Sequence, residues 1–403
     1  MDQPRRHFLR QASLLGLGLL YTGGLLGLSG CQTRPSWHSS GDLAVVIGRA
    51  SGELLLVNTT RLQVIGRVQG LGDLSHASAV FSRDQRFVYI FGRDGGLSKV
   101  NLAEQRLSKR LMQSGNSIGG AISQDGRLIA VSNYQPGGVK VFASDTLELV
   151  ADLPALDDQG RPSKVVGLVD APGQRFVYSL FDSDEIRIAD FSQGQVHIQR
   201  FPQVGQQPYD ALIFPDGRYY LAGLFGEDGL ALVDLWHPER GSRKVLPHYG
   251  RGQQKLPVYK MPHLEGWAVA GNLAFVPAVG EHAVLVVDSQ SWQQYARIAV
   301  AGQPVFVMAS PDSRHIWVNF AHPDNHQIQV IDADTLQVVQ QLQPGPGVLH
   351  MEFSPRGEQL WLSVRDANQV QVYRSADYQL LASFDFPSPS GIFMSARAHQ
   401  IGL

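Results

Sequence analysis

Among 403 residues there is one cysteine, Cys31. A lone cysteine excludes an intrachain disulfide and a Cys-built zinc site. No C-x-x-C-H occurs, so no c-type haem is covalently held. Charge is scarce, at 17% of residues with a formal net charge of −2. Lys and Arg are scattered and form no basic arm, so nothing points to a nucleic-acid partner. No long amphipathic helical period runs through the chain.

What is abundant is glycine (42 residues), proline (22 residues) and apolar residues (43% of the chain). That mixture suits many short strands joined by tight turns and is enough to bury a large core.

The N-terminus reads as an address. Arg5-Arg6 precedes an apolar stretch over residues 12–27, then Leu28-Ser29-Gly30-Cys31. A charged start, an apolar middle and small residues before a processing point make a secretory signal. The paired arginines resemble the Tat consensus, which exports folded proteins. Leu28-Ser29-Gly30-Cys31 resembles a lipobox, with cleavage before Cys31 and lipid on its thiol. An uncleaved membrane anchor is the alternative, but the run is short and five of its residues are glycine. Either way the chain is tethered to a membrane outside the cytoplasm. Gln32 after Cys31 favours the outer membrane by the usual sorting rule. The expected divisions are a signal over 1–30, a lipidated Cys and tether over 31–41, and one domain over 42–403.

That domain repeats. A turn rich in Asp, Pro, Gly and Arg recurs, as in Ser82-Arg83-Asp84-Gln85-Arg86, Ser123-Gln124-Asp125-Gly126-Arg127 and Ser310-Pro311-Asp312-Ser313-Arg314. An apolar strand follows each turn. Then comes an alternating strand, often ending in Val-Asp, as in Leu230-Ala231-Leu232-Val233-Asp234 and Val284-Leu285-Val286-Val287-Asp288. Eight such strands recur roughly every 42 to 54 residues, the period of a propeller blade. Ser390-Gly391-Ile392-Phe393-Met394 reads as a lone inner strand, while the segment from Asp42 supplies outer strands lacking an inner one. The expectation is an all-β, single eight-bladed β-propeller, its ring closed by pairing of the N- and C-terminal strands, which leaves no free edge there.

In a propeller, inner-strand starts and the loops between second and third strands share one face. The first set brings His76, Tyr209, Asp210, His263, Glu265, Trp267 and His350 there. The second brings Arg49, Arg93, His322 and Arg365. A neutral imidazole can ligate iron. Arginine forks pair with carboxylates, and aromatics stack on flat rings. Together they suit a tetrapyrrole with carboxylate arms. His263 can donate a proton to a substrate or simply cap the turn after Pro262. Asp210 and Glu265 are candidate proton donors or acceptors, or else hydrogen-bond to blade loops. His197, His237, His248 and His315 read as surface residues.

Some of these residues resemble a known family. His76 followed by Phe87-Val88-Tyr89-Ile90-Phe91-Gly92-Arg93-Asp94-Gly95 is similar to the start of the d1-haem domain of cytochrome cd1 nitrite reductases. Pro262-His263 with Gly266-Trp267 resembles that family's distal-pocket segment. Pro389-Ser390-Gly391-Ile392-Phe393 with His399 resembles its C-terminus. The resemblance implies that His76 is the proximal iron ligand and that Arg93 binds a haem carboxylate. This chain lacks the c-type haem domain of the reductases, and so is more similar to the haem d1 biosynthesis branch. That implies haem d1 or a d1 precursor as non-covalent ligand, without haem c, and a periplasmic role late in d1 assembly. Expected partners are other periplasmic d1 maturation proteins, nitrite reductase and the membrane, with a homodimer left open. The activity implied is a late side-chain or macrocycle conversion, with a non-catalytic carrier as the alternative and an empty interaction propeller as a third.

Overall fold

The computed structural model describes residues 41–250 and 266–401. Among them, eight four-stranded antiparallel sheets follow one another along the chain. The first blade joins both ends of the chain. Pro389–Met394 is its inner strand, and Leu43–Gly48, Glu53–Asn58 and Gln63–Val68 complete it. Ala44, Val45 and Val46 pair with Met394, Phe393 and Ile392. The expected ring closure is therefore present.

The other blades run outward from their inner strands, which are Ser78–Phe81, Asn116–Ile122, Val165–Ala171, Pro208–Ile213, Ala268–Ala270, Pro304–Ala309 and Val348–Phe353. They make blades two to eight in that order.

The recurrent turns explain why the blades form. In Ser82–Arg86 the Ser82 hydroxyl donates to Asp84 at 2.6 Å, and the same carboxylate accepts from the Arg86 N–H at 3.1 Å. The Phe87 N–H then donates to Ser82 Oγ at 3.0 Å. The pattern repeats at Ser123, Asp125, Arg127 and Leu128. It repeats again at Ser310, Asp312, Arg314 and His315. Short polar side chains thus satisfy the turn backbone locally, which is why these residues seed turns. The Asp ending the third strand does the same for the next turn. Asp288 accepts from the Ser291 N–H at 2.7 Å and Asp332 from the Thr335 N–H at 2.7 Å.

The core lies between neighbouring sheets. Trp317, Trp361, Phe176 and Phe275 are wholly or almost wholly buried there. Each large side chain so buried contributes about 1.5–3 kcal/mol before entropy is counted.

Several inner strands depart from regular pairing near the face where they begin. The register slips between Asn116 and Gly119, Val166 and Val169, Pro208 and Ala211, Pro304 and Val307, and Val348 and His350. A bulge leaves the intervening residues outside the ladder and re-aims their side chains.

At the opposite end of the channel sits the short 3-10 turn Ser395–His399. Arg397 there forms a two-pronged pair with Glu352, 2.8 Å at each prong and buried on both sides. Arg83 adds a bond to the Ala398 carbonyl.

Candidate tetrapyrrole site

On the face where the inner strands begin lies a cavity of about 470 Å³. That volume is typical of a small-molecule site. The bulged inner-strand residues Ile118, Tyr209, Asp210, Phe306 and Leu349 all line it. The slips described above therefore shape its wall. Phe393 and Phe320 add further apolar surface.

Of the residues expected there, the structure brings together Arg49, His76, Tyr209, Asp210, His322, His350 and Arg365. His76 and His322 are exposed at the mouth, while His350 is buried deeper. His350 Nδ1 accepts the Ile392 N–H at 3.2 Å. That bond leaves the proton of the neutral ring on Nε2. Phe306 and Phe393 pack against its ring, with centroids 5.7 and 5.9 Å away.

Arg49 and Arg365 occupy matching loops of the first and eighth blades. Arg365 pairs with Asp366 at 2.7 Å, which raises its pKa. For Arg49 no hydrogen bond or ion pair from its guanidinium is found among the described residues. Burial, first, and then the nearby charge of Arg365 hold its pKa below the ordinary arginine value. Two cations face one cavity, Arg365 paired with Asp366 and Arg49 offset only by the more distant charge of Asp73. An anionic ligand group would relieve that repulsion.

Arg93 is in contact with an aromatic ring. It lies on the corresponding loop of the second blade but does not line the cavity. Its guanidinium sits over the Tyr134 ring, 5.1 Å from the centroid. The Tyr134 hydroxyl is 2.9 Å from that of Tyr209, which does line the cavity. Burial raises the pKa of both phenols, and the charge of Asp210 raises them further. Both tyrosines stay protonated and serve as hydrogen-bonding groups. Arg93 thus connects to the cavity wall through a tyrosine pair. The neighbouring Asp94 is structural. It accepts the Gly96 N–H at 2.9 Å and pairs with Arg110 at 2.5 Å.

Asp73 precedes His76 by three residues. The Ser75 N–H donates to its carboxylate at 2.8 Å. That bond, with Arg93 and His76 nearby, holds Asp73 below the usual carboxylate range.

Trp267 is likewise not at the cavity. It is buried in the core between the fifth and sixth blades, 6.3 Å from the Tyr249 ring. Its position at the short inner strand Ala268–Ala270 points to packing between sheets. His399 lies on the reverse face, exposed and 3.5 Å from Gln85. His263, Glu265 and Cys31 fall outside the described residues. His197 and His248 are exposed, and His237 and His315 are half-buried.

Asn319 was not singled out from the sequence. It is buried, lines the cavity and accepts the Phe306 N–H at 2.8 Å, and it donates to the Leu349 carbonyl at 3.3 Å. Both partners are residues in or beside register slips, so Asn319 pins the bulges of two adjacent blades. No local motif marks such a residue. Among the described residues no group of three or more His, Cys, Asp and Glu is arranged to hold a metal ion alone.

Comparison with known proteins agrees with this geometry. Residues 38–398 match the model of the family described as the cytochrome D1 heme domain. Protein NirF of Pseudomonas aeruginosa is 66% identical over 379 residues, covering 93% of this chain and 97% of that protein. The dihydro-heme d1 dehydrogenase of the same organism is 28% identical, covering 90% of this chain and 73% of that one. A solved structure of the dihydro-heme d1 dehydrogenase NirN in complex with DHE aligns at a TM-score of 0.79 and 26% identity. It spans 92% of this chain and 79% of that one. Citrobacter koseri AztD, at 11% identity and a TM-score of 0.62, shares the fold over 87% of this chain and 96% of its own. This chain belongs to the cytochrome D1 heme domain family.

Proposed function

We propose that this protein acts outside the cytoplasm in haem d1 biosynthesis, binding a d1 precursor tetrapyrrole non-covalently at the channel mouth and taking part in a late conversion of it. One observation carries this reading above the others. The guanidinium groups of Arg49 and Arg365 converge on a cavity walled by Phe306, Phe320 and Phe393. A flat macrocycle with carboxylate arms satisfies both features at once. The kinship with a dehydrogenase of dihydro-haem d1, whose solved structure holds DHE, supports the same choice of ligand.

His76, exposed at the mouth, would hold the iron, which would supply redox and Lewis-acid chemistry when bound. Arg49 and Arg365 would grip carboxylates through charge-assisted hydrogen bonds. Phe306 and Phe393 exclude water from the wall beside His350. His350 Nε2–H and the Asp210 carboxyl are the groups placed to move a proton at the ligand's edge. Asn319 holds the backbone that presents Phe306.

The lipobox-like Cys31 would keep the chain at the membrane, near the other d1 maturation proteins and the nitrite reductase that uses the product. Cys31→Ser should move the protein from the membrane to the soluble periplasmic fraction. Retention at the membrane would remove the lipid anchor from this reading.

Incubation of the purified protein with a d1 precursor, followed by mass analysis of the extracted ligand, tests conversion. A changed mass that depends on His350 and Asp210 is the expected result. Recovery of unaltered ligand from a tight complex would leave a carrier that hands the tetrapyrrole on.

A further inference from the structure

The reverse face carries a second cavity that the tetrapyrrole reading does not use. Its volume is about 350 Å³, and it lies on the fifth blade. Register fixes which face this is. Tyr219 pairs with Asp234, and Val233 with Ser242, at the strand ends remote from Pro208 and the channel mouth. Three guanidinium groups line it, those of Arg218, Arg240 and Arg243, against the single carboxylate of Asp234.

Arg218 is preorganised. It pairs with Asp234 at 2.9 Å and lies over the rings of Tyr219 and Trp236, at 4.7 and 5.3 Å from their centroids. Arg240 and Arg243 have no hydrogen bond or ion pair from their guanidiniums among the described residues, and both are exposed. Trp236 on the rim is 55% exposed, which is unusual for a residue so large and apolar. Exposed Trp and Arg side by side mark the kind of surface that dominates protein–protein binding energy.

The other reverse-face turns contrast with this one. There, Arg86 pairs with its own turn's Asp84, and Arg127 with Asp125. In the fifth blade, by contrast, two arginines unneutralised among the described residues share a concavity with a stacked third. We infer that this cleft is a docking site for an acidic segment of a partner protein, which supplies the carboxylates that Arg240 and Arg243 lack. A concave site of this size with an excess of two cations fits carboxylate side chains better than the broad, flat surface of a membrane. Docking here leaves the channel mouth, on the opposite face, free to exchange ligand.

The test uses the whole protein and a fluorescein-labelled, acetylated oligoglutamate peptide at low salt. Saturable binding that weakens as salt rises is expected. The paired change Arg240→Glu and Arg243→Glu should reduce affinity about tenfold or more. Trp236→Ala should reduce it more modestly, with thermal unfolding unchanged in both because all three side chains are exposed. Arg49→Ala should leave peptide binding intact, which separates this site from the mouth. Absence of saturable binding would overturn the proposal, and so would equal binding by the charge-reversed protein. Capture by phosphatidylglycerol vesicles without peptide binding would overturn it too, by showing a lipid-facing patch instead.

Discussion

The two faces of the propeller are built from the ends of the same strands, yet they follow different rules. On the reverse face, turns repeat one solution. Ser and Asp side chains close the turns at Ser82, Ser123 and Ser310, and in the first two an arginine pairs within the turn. The C-terminal turn is anchored there by the buried Arg397–Glu352 pair. On the mouth face nothing repeats in that way. Inner strands slip register at different places, and the residues at the mouth are histidine, arginine and aromatic side chains in no repeating pattern. Local satisfaction makes a turn stable and unable to bind, whereas the Arg49 guanidinium at the mouth, with no hydrogen bond or ion pair among the described residues, can bind a ligand. The fifth blade's Arg240 and Arg243 break the rule on the reverse face, which is why that cleft draws attention.

Substitutions sharpen this contrast. Removing one partner of a buried ion pair strands the other charge, so Glu352→Ala should cost about 3–5 kcal/mol of stability in denaturant unfolding. Tetrapyrrole affinity of the protein that remains folded should change little, and an unchanged unfolding midpoint would mean that this pair is not part of the reverse face's stability. At the mouth the effect should invert. Arg49→Ala should weaken tetrapyrrole binding by about 1.5–3 kcal/mol, the scale of a charge-assisted bond, with stability preserved or slightly improved. Calorimetric titration and thermal unfolding of the same samples would check both halves.

Arg93→Ala should matter less. Its route to the cavity is a cation–π contact with Tyr134, so a loss below about 1 kcal/mol in binding is expected. A loss equal to that of Arg49→Ala would restore the direct carboxylate role implied by the family resemblance. The smallest effect belongs to a single turn. Asp312 lies below its ordinary value of 3.8, chiefly because the Ser310 hydroxyl donates to it. A carboxylate depressed in the folded state contributes stability above its unfolded pKa and loses it as pH falls through the folded one. Asp312→Ala should therefore cost about 0.5 kcal/mol at neutral pH, discounted for exposure, and converge with the parent in acid.

The same contrast decides what could be read from the sequence. The turns and the Val-Asp strand ends are local patterns, so eight blades and the closing inner strand at Ser390–Met394 were legible. The set of mouth residues was also legible in outline, because strand order alone assigns a face. What it could not supply was the last step from face to cavity. A single-residue slip turns a side chain to the other side of a sheet, and no residue type announces the slips at Tyr209-Asp210 or Val305-Phe306. Trp267 reads as a stacking platform in sequence, yet its strand is short and unbulged, so its ring goes into the core between blades. Arg93 matches Arg49 in loop position but meets a tyrosine that only its neighbouring blade brings near. Asn319 carries no motif because its partners, Phe306 and Leu349, are distant or on another blade.

The central claim is that the mouth holds an iron tetrapyrrole through His76. An absorbance titration of the purified protein with haem d1, in reduced and oxidised forms, tests it most directly, with His76→Ala run in parallel. Saturable binding with a histidine-ligated spectrum, lost in His76→Ala while the far-UV circular dichroism is unchanged, is the predicted result. An identical spectrum in the variant, or no binding by the parent protein, would contradict it.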